Sequence, residues 1–208
     1  YGINSAPSGK MDGQDVTVFG ASSNHPVNLN NTVISTAQSY TSAFSITMTP
    51  VWQPGCNAIT LSVNIQATAP FTAVGNLIFR CVMVERKINF AVQPGTNGEK
   101  DFEDVAIKSF PNIQNGTSMA GTWTNGQTQS FVLNCPLPSY TRKKSEVAFV
   151  GFIQDDGNRR VAQAARTSPL PLPAEQVAAI GASVNVACSS NISPIATVKN
   201  DGTVTINN

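Results

Sequence analysis

Apolar and polar residues alternate along much of this chain with a period of two, and that alternation predicts strands. Ala58 to Ala67 is the clearest case, setting Ile59, Leu61, Val63 and Ile65 against polar neighbours, as in a strand with one buried face. Phe44 to Met48 alternates in the same way. Leu77 to Val84 is a more continuous apolar run, as a central strand covered on both faces requires. Gln127 to Leu133 reads as a further strand. Val147 to Ile153 and Arg160 to Ala165 flank Asp155-Asp156-Gly157-Asn158, and an Asp-Gly pair between two apolar runs predicts a hairpin. A Pro-rich connector, Thr167 to Pro173, comes next. Beyond it Val184 to Ala187, Ile195 to Lys199 and Thr203 to Ile206 read as strands, the last two joined by a turn at Asn200-Asp201-Gly202.

Helical spacing occurs twice. Asn31 to Gln38 carries Val33, Ile34 and Ala37 on one face, with Asn28 or Asn30 near its start as a cap. Glu99 to Ser109 places Phe102, Val105, Ala106 and Ser109 at helical intervals, with acids in the first turn, Lys108 in the last and Pro111 beyond, which predicts a surface helix packed through Phe102 and Val105. Val16 to Phe19 reads as a short strand. Together these elements predict an all-β protein: an antiparallel jelly-roll-type β-sandwich with one short surface helix, flanked by partial modules. The expected divisions are 1–40, 41–173 and 174–208. The expected core comprises Ile59, Leu61, Val63, Ile65, Leu77, Phe79, Val132, Phe149 and Ile153.

Composition narrows the setting. Only 12% of the 208 residues are charged, against about 25% in ordinary soluble domains. Ser, Thr, Asn, Gln and Gly take their place, which suits a secreted or surface-exposed β-protein. A net charge of +1 supplies no electrostatic footprint for nucleic acid. No apolar stretch is long enough for a membrane-spanning helix.

The cysteines are Cys56, Cys81, Cys135 and Cys188. None is spaced for a C-x-x-C redox or zinc arrangement, and His25, the single histidine, completes no Cys/His metal cluster. In an oxidising compartment three connectivities are open. A Cys56–Cys135 bridge is preferred, because both sit at strand ends beside Pro-containing turns. Cys81 and Cys188 stay unassigned, and the alternative is four isolated thiols.

Catalytic chemistry finds little to stand on. Glu85, Glu99, Asp101, Asp104, Asp155 and Asp156 are the carboxylates from which a glycan-processing pair would be drawn. Glu85 ends an apolar strand and could project from the sandwich rim, or pair with Arg80, Arg86 or Lys87. Neither the G-x-S-x-G signature nor a Gly-rich phosphate loop ahead of a helix occurs. Asn97, Glu99 and Asp101 fall in one turn and Asp155, Asp156 and Asn158 at one hairpin tip. Such oxygens can hold calcium, yet they serve equally as a helix cap and a turn, and no metal is assigned. Arg142, Lys143 and Lys144 read as a solvated loop and Arg159-Arg160 as a hairpin shoulder. Trp52 and Trp123 read as packing residues or as a sugar-stacking platform.

A family resemblance adds to this reading. V-E-R-K-I-N-F (Val84 to Phe90), P-G-T-N-G-E-K-D-F (Pro94 to Phe102) and V-A-I-K-S-F-P (Val105 to Pro111), followed by V-A-F-V-G-F-I-Q-D-D-G-N-R-R-V-A-Q-A-A (Val147 to Ala165), resemble the C-terminal β-domain of the Omp twenty-eight-related outer membrane proteins of Bacteroidota. The similarity runs from near Phe44 to near Thr167. Y-G-I-N-S-A-P-S (Tyr1 to Ser8), with Asp12-Gly13 after it, resembles the strand and cis-proline turn near the end of a thioredoxin-like module. C-S-S-N-I-S-P-I-A-T-V-K-N-D-G-T (Cys188 to Thr203) resembles the opening of an immunoglobulin-like β-module. The resemblance implies a cell-envelope, outer-membrane-surface or secreted location, within a longer polypeptide.

The expected function is therefore binding, adhesion or assembly at the cell surface, without catalysis and without a cofactor. The partner is a surface ligand, protein or glycan, with self-association possible through the terminal strands. The alternatives are a carboxylate-dependent glycan-processing enzyme on a jelly roll, and an accessory part of a thioredoxin-like thiol oxidoreductase.

Overall fold

The computed structural model describes residues 8–173 in full, together with the backbone of strands 177–184 and 194–200. In chain order its strands are β1 (Lys10–Met11), β2 (Gln14–Asp15), β3 (Phe44–Trp52), β4 (Ala58–Ala67), β5 (Phe71–Thr72), β6 (Leu77–Asn89), β7 (Asp101–Phe110), β8 (Thr117–Ser118), β9 (Thr122–Trp123), β10 (Thr128–Pro136), β11 (Val147–Asp155), β12 (Val161–Arg166), β13 (Val177–Val184) and β14 (Pro194–Asn200). Helix α1 (Asn31–Gln38) lies between β2 and β3. Tyr1 to Pro7 and the predicted strand Thr203 to Ile206 lie outside the described residues, as do Cys188 and most of Val184 to Ala187.

The antiparallel sandwich expected from the alternation is present. One sheet has the order β10-β4-β3 and the other β12-β11-β6-β7, with β8 paired to the start of β6. Hairpins β3–β4, β6–β7 and β11–β12 stay within a sheet. The chain crosses between sheets from β4 to β6, from β7 to β10 and from β10 to β11, so the two layers are sewn together in Greek-key fashion. Side chains at odd positions of β4 (Ile59, Leu61, Val63, Ile65), β6 (Leu77, Phe79, Cys81, Met83) and β11 (Val147, Phe149, Ile153) are all buried in one core. Phe79 and Phe131 meet edge to face across the layers at 5.2 Å between ring centres.

Gly151 belongs to the same inward row. A Cβ there would stand 2.6 Å from the Phe79 ring and 2.7 Å from Sδ of Met48. Glycine is required at this point because a ring from its own sheet and a thioether from the facing sheet already fill the space.

Four sequence expectations are corrected. Glu99 to Ser109 is not a helix: Asp101–Phe110 is strand β7, paired with β6 from Asn89↔Asp101 to Cys81↔Phe110. The register slips by one residue between Met83 and Val84, leaving Ile107 as an extra residue, and Asp104 takes a left-handed φ of 51°. That bulge breaks strict alternation. The apolar residues at helical intervals are in fact shared between the two faces of one strand, and Phe102 packs on Phe90 at 5.7 Å. The short α-helix of the fold is α1 instead, where Asn30 Oδ1 accepts from the backbone N–H groups of Thr32 and Val33 at 3.0 and 3.1 Å.

Val16–Phe19 forms a 3₁₀ turn rather than a strand. Its Val16 and Phe19 make a second small core with Ala21, Val33 and Ala37. Ile34, read with Val33 and Ala37 on the apolar face of the helix, is 40% exposed, and Val18 is 56% exposed. Val132 is the fourth correction. Its parity puts it on the outer face of β10, 64% exposed, while Leu133 and Cys135 turn inward.

Gly151→Ala is expected to destabilise the protein by about 1–3 kcal/mol through overpacking. Leu61→Ala is expected to cost about 2–5 kcal/mol, and Val132→Thr less than about 0.5 kcal/mol. Denaturant titration of the three variants checks the order, and a large loss at Val132 would mean that its face is misassigned.

Candidate functional site

The carboxylates expected to carry chemistry are occupied, and the two buried ones are far apart. Glu85 and Asp155 stand at opposite ends of the β6–β11 ladder, where Glu85 faces Val147 and Asp155 faces Leu77. At ~3.3 Å per residue that separates them by roughly 26 Å, whereas paired glycosidase carboxyls stand about 5–9.5 Å apart.

Glu85 is buried and accepts from the backbone N–H groups of Lys143 (2.6 Å) and Arg142 (3.1 Å). Its partners are therefore main-chain donors rather than Arg80, Arg86 or Lys87. Asp155 is likewise buried, and accepts from the N–H groups of Val74 (2.6 Å), Gly75 (3.0 Å) and Gly157 (2.9 Å). Gly75 and Gly157 cross so closely beneath it that a Cβ on Gly75 would lie 2.6 Å from the Gly157 nitrogen. Asp156 pairs with Arg80 at 2.9 Å. Asp104 pairs with Arg86 at 2.5 Å and Arg166 at 3.6 Å.

The calcium candidates divide in the same way. Asn97 and Glu99 bond each other at 3.1 Å, while Asp101 turns to Asn89 at 2.6 Å. At the hairpin tip Asn158 Oδ1 accepts from Arg160 N–H at 2.9 Å, beside the engaged Asp155 and Asp156. Among the described residues no group of three or more His, Cys, Asp or Glu is placed to hold a metal ion. His25 caps a 3₁₀ turn at the surface, its Nδ1 accepting from Val27 N–H at 3.1 Å. The tryptophans form no platform. Trp123 is fully buried against Phe44 at 5.3 Å, and Trp52 is pinned by its Nε1 donating to the Pro171 carbonyl at 3.0 Å. Arg142 lies over the Phe90 ring at 4.2 Å.

The preferred Cys56–Cys135 bridge is not made. Cys135 lies in the core and its thiol donates weakly to the Leu133 carbonyl at 3.8 Å. Cys56 is fully buried in the β3–β4 turn at a φ of 48°. Burial pushes the Cys135 thiol up to about 12, against a smaller lowering by Lys108. Burial, and next the neighbouring Cys135, push Cys81 higher still.

What the fold does assemble is a groove, and the sequence reading missed it. Two hollows of about 410 and 420 Å³ adjoin where α1 and the first residues meet the β11–β12 hairpin. Thr41, Ser42, Arg160 and Ala162 line both. The first hollow extends to Phe71, Thr72, Val74 and Asn158, the second to Asp12, Ile34, Gln38 and Tyr40. The Arg160 guanidinium stacks over the Tyr40 ring at 4.6 Å and takes part in no ion pair among the described residues. The seam is tied by the Asp12 carbonyl accepting from Val161 N–H (2.8 Å) and by Gln14 Nε2 donating to the Asn158 carbonyl (2.7 Å). Gly13, at φ 75°, lets the chain pass against the Arg159 carbonyl. From sequence Arg160 is a hairpin shoulder. In the fold that shoulder walls the first hollow against residues from Thr41 onward, and the docking of the first residues extends the wall into the second.

With this geometry in hand, the chain can be set beside known proteins. No family model matches it, and no curated protein does. Among solved structures it is similar to HBP35 of Porphyromonas gingivalis, with a TM-score of 0.60 at 10% identity, over 98% of this chain and 70% of that one. It is also similar to a domain of the outer membrane lipoprotein Omp28 from Porphyromonas gingivalis, with a TM-score of 0.40 at 10% identity, over 62% of this chain and 98% of that one. At these identities the likeness to HBP35 concerns the fold. No helix among the described residues is long and apolar enough to cross a membrane.

Three outcomes test the site chemistry. Glu85→Ala orphans the buried N–H groups of Arg142 and Lys143, and is expected to cost about 1–3 kcal/mol and to speed hydrogen exchange in the loop before β11. Cys81 and Cys135 are expected to resist iodoacetamide at pH 8 in the native protein and to react after unfolding, read by peptide mass spectrometry. Their raised pKa values also make alkali destabilising. Unfolded thiols ionise from about pH 8.5, the buried Cys135 only near 12, so stability falls across that interval. Cys135→Ala should make the fall shallower.

Proposed function

We propose that this chain is a non-catalytic module of a cell-envelope or secreted protein that binds a surface ligand, protein or glycan, in the groove between its first residues and the sandwich. The groove itself carries this reading: it is the place where an unpaired cation, exposed hydroxyl and amide side chains and partly exposed apolar residues converge. The acids that an enzyme would need are already engaged, Glu85 and Asp155 (the latter in the wall of the first hollow) by main-chain donors and Asp104 and Asp156 by arginines. A thiol-exchange role finds no support in Cys81 and Cys135, whose thiols burial raises and so keeps protonated. The envelope setting rests on the ion-poor composition and on the motifs between Val84 and Ala165.

Ala162→Trp fills the wall common to both hollows, and Arg160→Gln removes the cation. Retention on arrays of bacterial and host surface glycans, and on immobilised envelope proteins, is expected for the unaltered chain and is expected to drop at least about tenfold in Ala162→Trp. Val51→Lys, on the far face, should bind as before. Equal binding by Ala162→Trp would remove the groove from the reading. Glycan hydrolysis that disappears in Glu85→Gln would replace it with an enzyme.

A further inference from the structure

A sandwich of open sheets has edges, and an edge strand presents unpaired N–H and C=O groups to any passing strand. Among the described residues, three of the four edges of the two sandwich sheets are blunted. β3 carries Pro50, which has no N–H, and closes against β12, with Gln163 Nε2 donating to the Phe44 carbonyl at 2.9 Å. That seam covers the outer side of β12 as well. β7 has its bulge at Ile107, a left-handed Asp104, the charges of Asp101, Glu103 and Lys108, and a lid in Tyr140, whose hydroxyl donates to the Ile107 carbonyl at 2.8 Å.

β10 has none of these devices. It is T-Q-S-F-V-L-N-C-P, without a charge and without a proline before its last residue. Its pairing with β4 runs in unbroken register from Thr128↔Gln66 to Pro136↔Ala58. The phase of that ladder is set at both ends, where Ala67 N–H donates to the Gln127 carbonyl and Leu137 N–H to the Asn57 carbonyl, each at 2.9 Å. Odd residues of β10 therefore bond to β4. The backbone groups of Thr128, Ser130, Val132 and Asn134 point away from the sheet. All four residues are exposed, and no described hydrogen bond engages their main-chain groups.

We propose that β10 is an association edge on which a second copy of this chain pairs, antiparallel and about a two-fold axis through Val132. In that register Val132 faces its own mate and Ser130 faces Asn134. The main-chain donors and acceptors of the two strands then satisfy one another. Self-pairing is the occupant that the strand favours: with no charge anywhere along it, two identical edges meet without like-charge repulsion. Val132, 64% exposed amid hydroxyl and amide neighbours, lies on the axis. The two three-stranded sheets become one continuous sheet. Because only a strand edge is buried, the association is reversible and concentration-dependent. It is independent of the groove, which lies at the seam with the β11–β12 hairpin.

Sedimentation velocity of the intact chain across a concentration series tests this. The expected result is a monomer–dimer equilibrium that Val132→Lys shifts at least about tenfold toward monomer, since two lysines would then stand directly opposed. Ser130→Lys should act in the same direction. Val51→Lys, 57% exposed on β3, should not. Facing residues in such a pair stand about 5.5 Å apart at Cα, within disulfide reach. Val132→Cys is accordingly expected to become a covalent dimer when oxidised glutathione accepts the two electrons, and Val51→Cys to stay monomeric. The proposal is overturned if the chain remains monomeric to about 1 mM. It is equally overturned if a dimer persists unchanged in Val132→Lys, or if Val132→Cys fails to cross-link. A monomer that nevertheless takes up an extended peptide along β10 would assign the edge to another protein and likewise overturn self-pairing.

Discussion

Burying a carboxylate costs several kcal/mol unless donors meet its lone pairs, and this sandwich does so at both ends of its central ladder. Asp155 gathers the N–H groups of Val74, Gly75 and Gly157, fastening the turn before β6 to the tip of the β11–β12 hairpin. The two glycines under it exist for that purpose: each occupies the space that a Cβ on the other would need. Glu85 does the equivalent at the far end, holding the loop into β11 through Arg142 and Lys143. Since β6 and β11 are both reached by crossing between layers, these two acids fix where the crossings land. The groove inherits its shape from Asp155 in particular, because Val74, Asn158 and Arg160 all hang from the turns it ties together.

The alternation of apolar residues makes most of this fold legible without coordinates. Ile59 to Ile65, Leu77, Phe79, Phe149 and Ile153 are buried as their spacing requires, and the Asp-Gly hairpin and the Asn30 cap lie where local chemistry puts them. Pattern and structure part where a tertiary partner overrides a local signal. β7 mimics a helix because one bulge residue, Ile107, switches the face on which the neighbouring strand residues lie, and a bulge is specified by the opposing strand. Val132 passes for a core residue because Phe131, Val132 and Leu133 form an apolar run with no parity of its own. Which of them turns inward is settled by pairing with Val63, Ser62 and Leu61. The groove is invisible in the sequence for the same reason, since Tyr40 and Thr41 are far from Arg160 along the chain and come beside it only in the folded protein.

That docking is slight. The segment before β3 has its own small core of Val16, Phe19, Ala21, Val33 and Ala37, and touches the hairpin through the Asp12–Val161 backbone bond, the Gln14 side chain and the Tyr40–Arg160 stack. Few buried apolar contacts cross the seam, and such boundaries open at a lower free energy than a continuous core does. A groove at such a boundary can widen or close without disturbing either core.

The scarce charges are distributed unevenly, and the distribution separates the two sheets by role. β3, β4 and β10 contain no ionisable Asp, Glu, Lys or Arg at all, whereas β6 and β7 carry most of those found in strands. The outer face of the three-stranded sheet is kept wet by Thr, Ser, Asn and Gln, several of which bond across strands, as Ser130 does to Asn64 at 2.8 Å. Neutral groups of this kind hold water weakly enough to exchange it for another polar surface without the desolvation penalty that charges bring. Ionic residues on the other sheet do the opposite, binding their own loops and protecting its free edge through Arg86, Asp104 and Arg166. The low charge content that first marked the sequence is thus most complete in one layer, the layer whose β10 edge is the one proposed for association.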